Sequence, residues 1–199
     1  MSEKRRGRIE KRKQTEQQSR QQIFMMLFFV GIVVVVGLVA YFLLNQEQPL
    51  PELAADFDFE SVVDNSLGYE MVGRDHIASD VPRTYNSNPP TSGNHNAKWI
   101  SPLGVYAQLP DDQLVHNLEH GHVWLSYRDA GDSEALALLT AIEEKYPDRI
   151  IVTYRPANDN RIAASAWTRL LVLDELDREQ IEAFIIRYSD KAPESILGM

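Results

Sequence analysis

The chain contains no cysteine. That absence removes thiolate nucleophiles, iron–sulfur clusters and zinc ribbons, and it fits an oxidising compartment in which the fold builds no disulfide. Positive charge is also short, with 20 Lys and Arg against 29 Asp and Glu and a formal net charge of −9. What basic charge there is gathers at the start. Residues 1–22 hold eight Lys or Arg against three glutamates, so the remainder carries −14 (−9 less the leader's +5). An acidic body of that size argues against nucleic acid or anionic headgroups as its partner. Internal repeats and low-complexity tracts are missing too, which excludes solenoids and arrays.

One long hydrophobic run is present. Residues 23–44 read "IFMMLFFVGIVVVVGLVAYFLL", 22 positions without a charge. As a helix this run spans the roughly 30 Å hydrocarbon core of a bilayer. A secretory signal would have a shorter apolar centre and a small-residue cleavage site, and "AYFLLNQEQ" offers none. The run is expected to be a membrane anchor. The basic leader, 1–22, then stays cytoplasmic and everything after Leu44 lies outside, in the periplasm or beyond. The expected protein is a single-pass protein of the cell (inner) membrane, contacting the lipid bilayer through 23–44. Residues 45–66 read as a linker or stalk, and 67–199 as the extracytoplasmic domain.

The second half of that domain has clear periodicity. "HVWLSY" (122–127) is an apolar run bounded by Gly121 and "RDAGD", and reads as a strand. Asp132 caps a helix to about Tyr146 with Leu136, Leu139, Ile142 and Tyr146 on one stripe. "RIIVTY" (149–154) is the next strand, and "IAASAWTRLLVL" (162–173) is a long strand candidate whose first half could equally be helical. Asp177 with Gln180 opens a last helix whose stripe is Ile181, Phe184, Ile185 and Tyr188. The order β-α-β-β-α predicts an α+β domain with a mixed sheet, in a layout that could be thioredoxin-like. Without a C-x-x-C, that layout would not imply redox work. The stretch 82–106 is rich in Pro, Asn, Ser and Gly, yet its aromatics Tyr85, Trp99 and Tyr106 argue against disorder.

Only five histidines occur, and all five fall within 47 residues: His76, His95, His116, His120 and His122. If "DDQLVHNLEH" is a short helix, His116 and His120 stand at i and i+4 on one face and can reach one metal ion. Gly121 ends that helix, and strand alternation places His122 with Trp124 and Ser126, as a bystander. The string also matches H-x-x-E-H, in which His116 and His120 would bind zinc and Glu119 would activate water. That reading needs a long helix in a large, clefted chain, which is not in prospect here. Ser92 beside a histidine, without a nucleophile elbow, does not make a serine hydrolase.

"YNSNPPTSGNH", "LGVY", "LVHNLEHG", "SAWTRLLVLDELD" and "KAPE" together resemble the bacterial proteins grouped as domain of unknown function 3105. The resemblance runs from about Gly68 to Glu194 and implies a basic start, one span and an external domain. It implies that His76, His95, His116 and His120 belong to the shared pattern, whereas position 122 usually holds another residue. The family name implies no activity.

A mononuclear site of His76, His95, His116 and His120, with Glu119 as ligand or second-shell partner, suits Zn²⁺ or Cu²⁺ better than Mg²⁺ or Ca²⁺. Met71 is a candidate soft axial ligand for copper. No catalytic residue is assigned. Against the carrier, sensor or accessory role of such a site stand two alternatives. One is a metal-free envelope scaffold that binds a protein partner, and the other a pH-responsive interaction domain using the same imidazoles.

Overall fold

The computed structural model describes Arg20, Gln22 and residues 24–41 and 52–196. Most of the basic leader, the ends of the expected span (23 and 42–44) and the first part of the expected linker (45–51) lie outside the described residues. So do 197–199. The chain divides into two units, Met1–Pro51 and Glu52–Met199. In the first, Phe24–Tyr41 form an apolar helix, α1, with no part of its surface buried. By length and composition α1 could cross a membrane as an anchor or serve as a signal sequence.

The second unit is built on one mixed sheet. Its strands are β1 (Leu67–Gly68), β2 (Gly104–Tyr106), β3 (Val123–Tyr127), β4 (Ile150–Tyr154), β5 (Ile162–Ala166) and β6 (Arg169–Leu173). They lie in the order β1-β6-β5-β3-β4-β2. β3 runs parallel to β4, and β4 to β2; β5 is antiparallel to β3 and to β6, and β6 to β1. The helices are α2 (Asp111–Glu119), α3 (Ser133–Lys145) and α4 (Arg178–Tyr188). The α+β class and the mixed sheet are therefore as the sequence implies.

Local chemistry accounts for the elements. Asp132 accepts a hydrogen bond from the Ala135 N–H and Asp177 one from the Gln180 N–H, so both expected caps are made. α3 buries Ala135, Leu138, Leu139 and Ile142, and α4 buries Ile181, Phe184 and Ile185. The two helices share a face of the sheet, joined where Lys145 and Tyr146 donate to Glu182 at 2.5 and 2.8 Å.

Every residue of β3 is buried, so the opposite face is covered as well. There Leu114, Val115 and Leu118 of α2 pack with Trp124, Ile151, Trp167 and Ile100. The domain thus has helices on both faces of the sheet.

One expectation is corrected. Residues 162–173 are not one strand but a hairpin, β5–β6, turning at Trp167-Thr168. Thr168 adopts a left-handed φ of 62°, a conformation more usual for Gly or Asn, so the sequence carries no turn signal there. Residues 56–66, acidic and mixed and readable from sequence as either helix or stalk, contain a 3-10 turn at Phe59–Ser61. That turn packs on α4, where Arg187 donates to the carbonyls of Phe59 and Val62.

Candidate metal centre

The site forms where α2 ends against two glycine-bearing loops. At its C-terminus α2 closes with paired turns: Gly121 N–H donates to Leu118 O at 3.0 Å and His122 N–H to Asn117 O at 3.1 Å. Gly121 takes φ +90°, the left-handed conformation such a helix stop requires. A Cβ there would lie 2.6 Å from Ser195 Oγ and 3.0 Å from Asp190 Cα. Helical spacing then puts His116, Glu119 and His120 on one face. Within the helix Asn117 faces the other way, and its amide pairs with both backbone groups of Ile100 at 2.8 and 3.0 Å. That clamp ties the 82–103 loop to the site.

His76 and His95 arrive from the loops. Their backbones form an isolated parallel bridge, with Ile77 N–H donating to His95 O at 2.8 Å and His95 N–H to Asp75 O at 3.0 Å. Asn94 Oδ1 also accepts from the Asp75 N–H at 3.0 Å. Gly73 and Gly93 permit this closeness: both have φ near +137°, and a Cβ on either would collide with Asn94 or Tyr85.

The result is a cluster. One ligand atom from each of His76, His95, His116 and Glu119 lies within 4.8 Å of every other, so the group could hold a metal ion. Glu119 is 1% exposed and His95 0%, whereas the His76 side chain is 43% exposed and forms the open side. Glu119 Oε2 lies 3.1 Å from His95 Nε2 and 3.6 Å from His76 Nε2. Arg74 Nη1 stands 3.9 Å from Glu119 Oε1 and also 3.9 Å from Glu194 Oε1.

Hydrogen bonding sets the protons. His95 Nδ1 faces Gly93 O at 2.8 Å, and a carbonyl only accepts, so Nδ1 carries the proton. In neutral His95, Nε2 is then a lone pair, and it faces a carboxylate oxygen that is also an acceptor. His95 Nε2 and Glu119 Oε2 are both buried without a hydrogen-bond partner, as is His116 Nδ1. The pKa of His116 is lowered to about 4 by burial, with the neighbouring His95, His120 and His76 adding to the effect. An imidazole kept neutral is one able to bind a metal.

The other expected residues fall at the margin. His120 lies outside the four. Its Nδ1 meets Glu194 O at 3.0 Å, so Nδ1 is the protonated atom, and its Nε2 meets His116 Nε2 at 2.9 Å. His122 is buried at the helix stop with Nδ1 3.1 Å from Asn117 O, and burial lowers its pKa. Met71 is 52% exposed. In an H-x-x-E-H peptidase the two histidines hold the metal; here the glutamate itself enters the group, with His76 and His95 opposite, and α2 stops at once.

Several participants carried no signal in the sequence. Trp99 is half-buried over His120, His122 and His116 at ring separations of 5.0, 5.8 and 6.3 Å. Arg155, 7% exposed, holds Asp111 at the start of α2 through Nε and Nη2 at 3.0 and 2.8 Å. It also donates to Asn88 in the loop at 2.6 Å, so one guanidinium sets loop against helix. Arg74 and Glu194, far apart in sequence, could have been found only from the fold.

A domain of this kind, a mixed α/β unit with three imidazoles and a carboxylate converging beside a helix stop, is defined by its site as much as by its sheet. The chain belongs to the family described as protein of unknown function (DUF3105), whose model matches residues 76–197. That match includes all five histidines and Glu119. No match was found among curated proteins or among solved structures.

Proposed function

We propose that this is a membrane-anchored, extracytoplasmic protein that binds a transition metal, zinc or copper, as a carrier, sensor or accessory protein. In this reading His76, His95, His116 and Glu119 are the ligands. His120 supports His116 from behind, with its own ring fixed by the Glu194 carbonyl, the arrangement expected of a residue that orients a ligand. The observation that carries the reading is the pair His95 Nε2 and Glu119 Oε2: 3.1 Å apart, both buried, and joined by no hydrogen bond. With the His95 ring neutral and its proton on Nδ1, both atoms are acceptors that repel at this distance, and a cation between them removes the conflict. Neutral imidazoles with one carboxylate favour zinc or copper over calcium or magnesium.

The anchor is α1, and the +5 leader sets the domain outside the cytoplasm. We read the β3-α3-β4 and β5-β6-α4 halves as a thioredoxin-like layout put to a use other than thiol chemistry, since the chain has no cysteine.

The test is the metal content of the full chain, purified without a polyhistidine tag and never exposed to chelator. About one zinc or copper per chain is expected, disappearing in the Glu119→Ala His95→Ala double variant. A folded, metal-free protein that takes up neither ion would contradict the reading. It would support the metal-free scaffold, for which the His116–His120 contact offers a self-sufficient arrangement.

A further inference from the structure

Of the four residues of the cluster, three are buried and one is exposed. His95, His116 and Glu119 are buried, but the His76 side chain is 43% exposed. The Arg74 side chain, 48% exposed, stands at the same opening, with Nη1 3.9 Å from Glu119 Oε1. Its other acidic neighbour, Glu194, is also 48% exposed and lies at the same 3.9 Å. Neither separation is a hydrogen bond, so the Arg74 donors are not committed to either carboxylate.

Charge at this opening depends on whether a divalent ion is bound. Without one, two carboxylates outweigh one guanidinium. With one, the ion, Arg74, Glu119 and Glu194 together leave a single net positive charge, facing solvent on the His76 side. Zinc and cobalt held by four protein groups can expand from tetrahedral to five-coordinate, and copper(II) favours tetragonal sites with room for a further ligand. A guanidinium beside that position offers planar, charge-assisted donors matched to a carboxylate.

We propose that the metal-loaded site binds a small carboxylate anion on its His76 side, one oxygen on the metal and the other held by Arg74. The proposal rests on the metal reading above and gives the site a ligand class. Arg74 is its specificity residue. Its removal weakens the anion without weakening the metal, because Arg74 is not a metal ligand.

Cobalt(II) substituted into the full chain in detergent makes the binding visible, since its d–d absorption changes with coordination. Acetate is the probe. Titration of the cobalt protein with acetate should shift the spectrum to saturation, with cobalt still bound after gel filtration. Arg74→Gln should bind cobalt as the parent does but acetate roughly tenfold more weakly, the loss expected for one charge-assisted contact. Arg74→Lys should recover part of that loss, because it restores charge without the fork.

A cobalt spectrum indifferent to acetate would overturn the proposal and leave the metal site standing. So would equal acetate affinity in the parent and Arg74→Gln. Failure of the parent to take up cobalt, zinc or copper would remove the metal reading itself, and this proposal with it.

Discussion

At Glu119 the metal-bound and metal-free accounts make opposite demands. If the carboxylate is paired with a protonated His95, changing it to an amide removes an ion pair from a site that is 1% exposed, which is strongly destabilising. If it faces a neutral His95, the amide of Glu119→Gln can donate to the Nε2 lone pair and relieve the conflict. The metal account therefore predicts that chelator-treated Glu119→Gln unfolds at the same temperature as the parent or higher. It also predicts that the variant loses the stabilisation that zinc or copper confers. A large destabilisation of the metal-free variant would favour the ion pair. His122→Ala is the companion measurement: its ring bonds the helix stop, so the variant should lose stability yet retain the metal-dependent gain.

At the scale of elements, α3 and α4 are joined through a buried carboxylate. Glu182 is fully buried, and burial alone would raise its pKa, but donors from Lys145, Arg178 and Tyr146 outweigh that and hold it lowered. A carboxyl lowered in the folded state contributes stability that is present above its unfolded pKa of about 4.3 and lost as pH falls through the folded value. Urea unfolding should find Glu182→Gln less stable than the parent at pH 7 by roughly 1.5–3 kcal/mol, the range for a hydrogen bond to a charged group. The gap should close as the pH is lowered below the usual carboxylate range. A gap independent of pH would show that packing, not charge, joins the helices there.

How far such elements were legible follows from their local chemistry. α3 and α4 announce themselves through Asp132 and Asp177 and a 3.6-residue stripe; both form with the expected caps, but α3 buries Ala135 and Leu138 where the stripe named Leu136. The β5–β6 hairpin was hidden because its turn rests on Thr168, held left-handed by the surrounding sheet without a Gly or Asn to mark it. β2 is three residues at the end of a Pro- and Gly-rich loop, pinned by β4 and without an apolar run of its own. In the site, the i and i+3/i+4 relation of His116, Glu119 and His120 was readable from helix geometry. The place of His76 and His95 in it came from the resemblance and not from local geometry, because their meeting depends on a backbone bridge between residues 19 apart in sequence. In retrospect Gly73 and Gly93, each just ahead of a histidine, were its only local trace.

The whole molecule couples an acidic domain to a basic leader through one apolar helix. The surplus of five positive charges before α1 predicts the orientation, and a reporter active only outside the cytoplasm, fused after Met199, should be active. A stable, membrane-inserted fusion with no activity would reverse it. In the domain, the segments carrying His76 and His95 have little regular structure of their own, and α2 is nine residues long. An ion shared among them would tie loops, helix and sheet into one cooperative unit. The most direct measurement is the thermal unfolding of residues 52–199 without a tag, first with chelator and then with zinc or copper in excess. Bound metal should raise the midpoint, by the equivalent of about 2.7 kcal/mol when the free ion is a hundredfold above its dissociation constant. An identical midpoint with chelator, zinc and copper would contradict a metal centre in this domain.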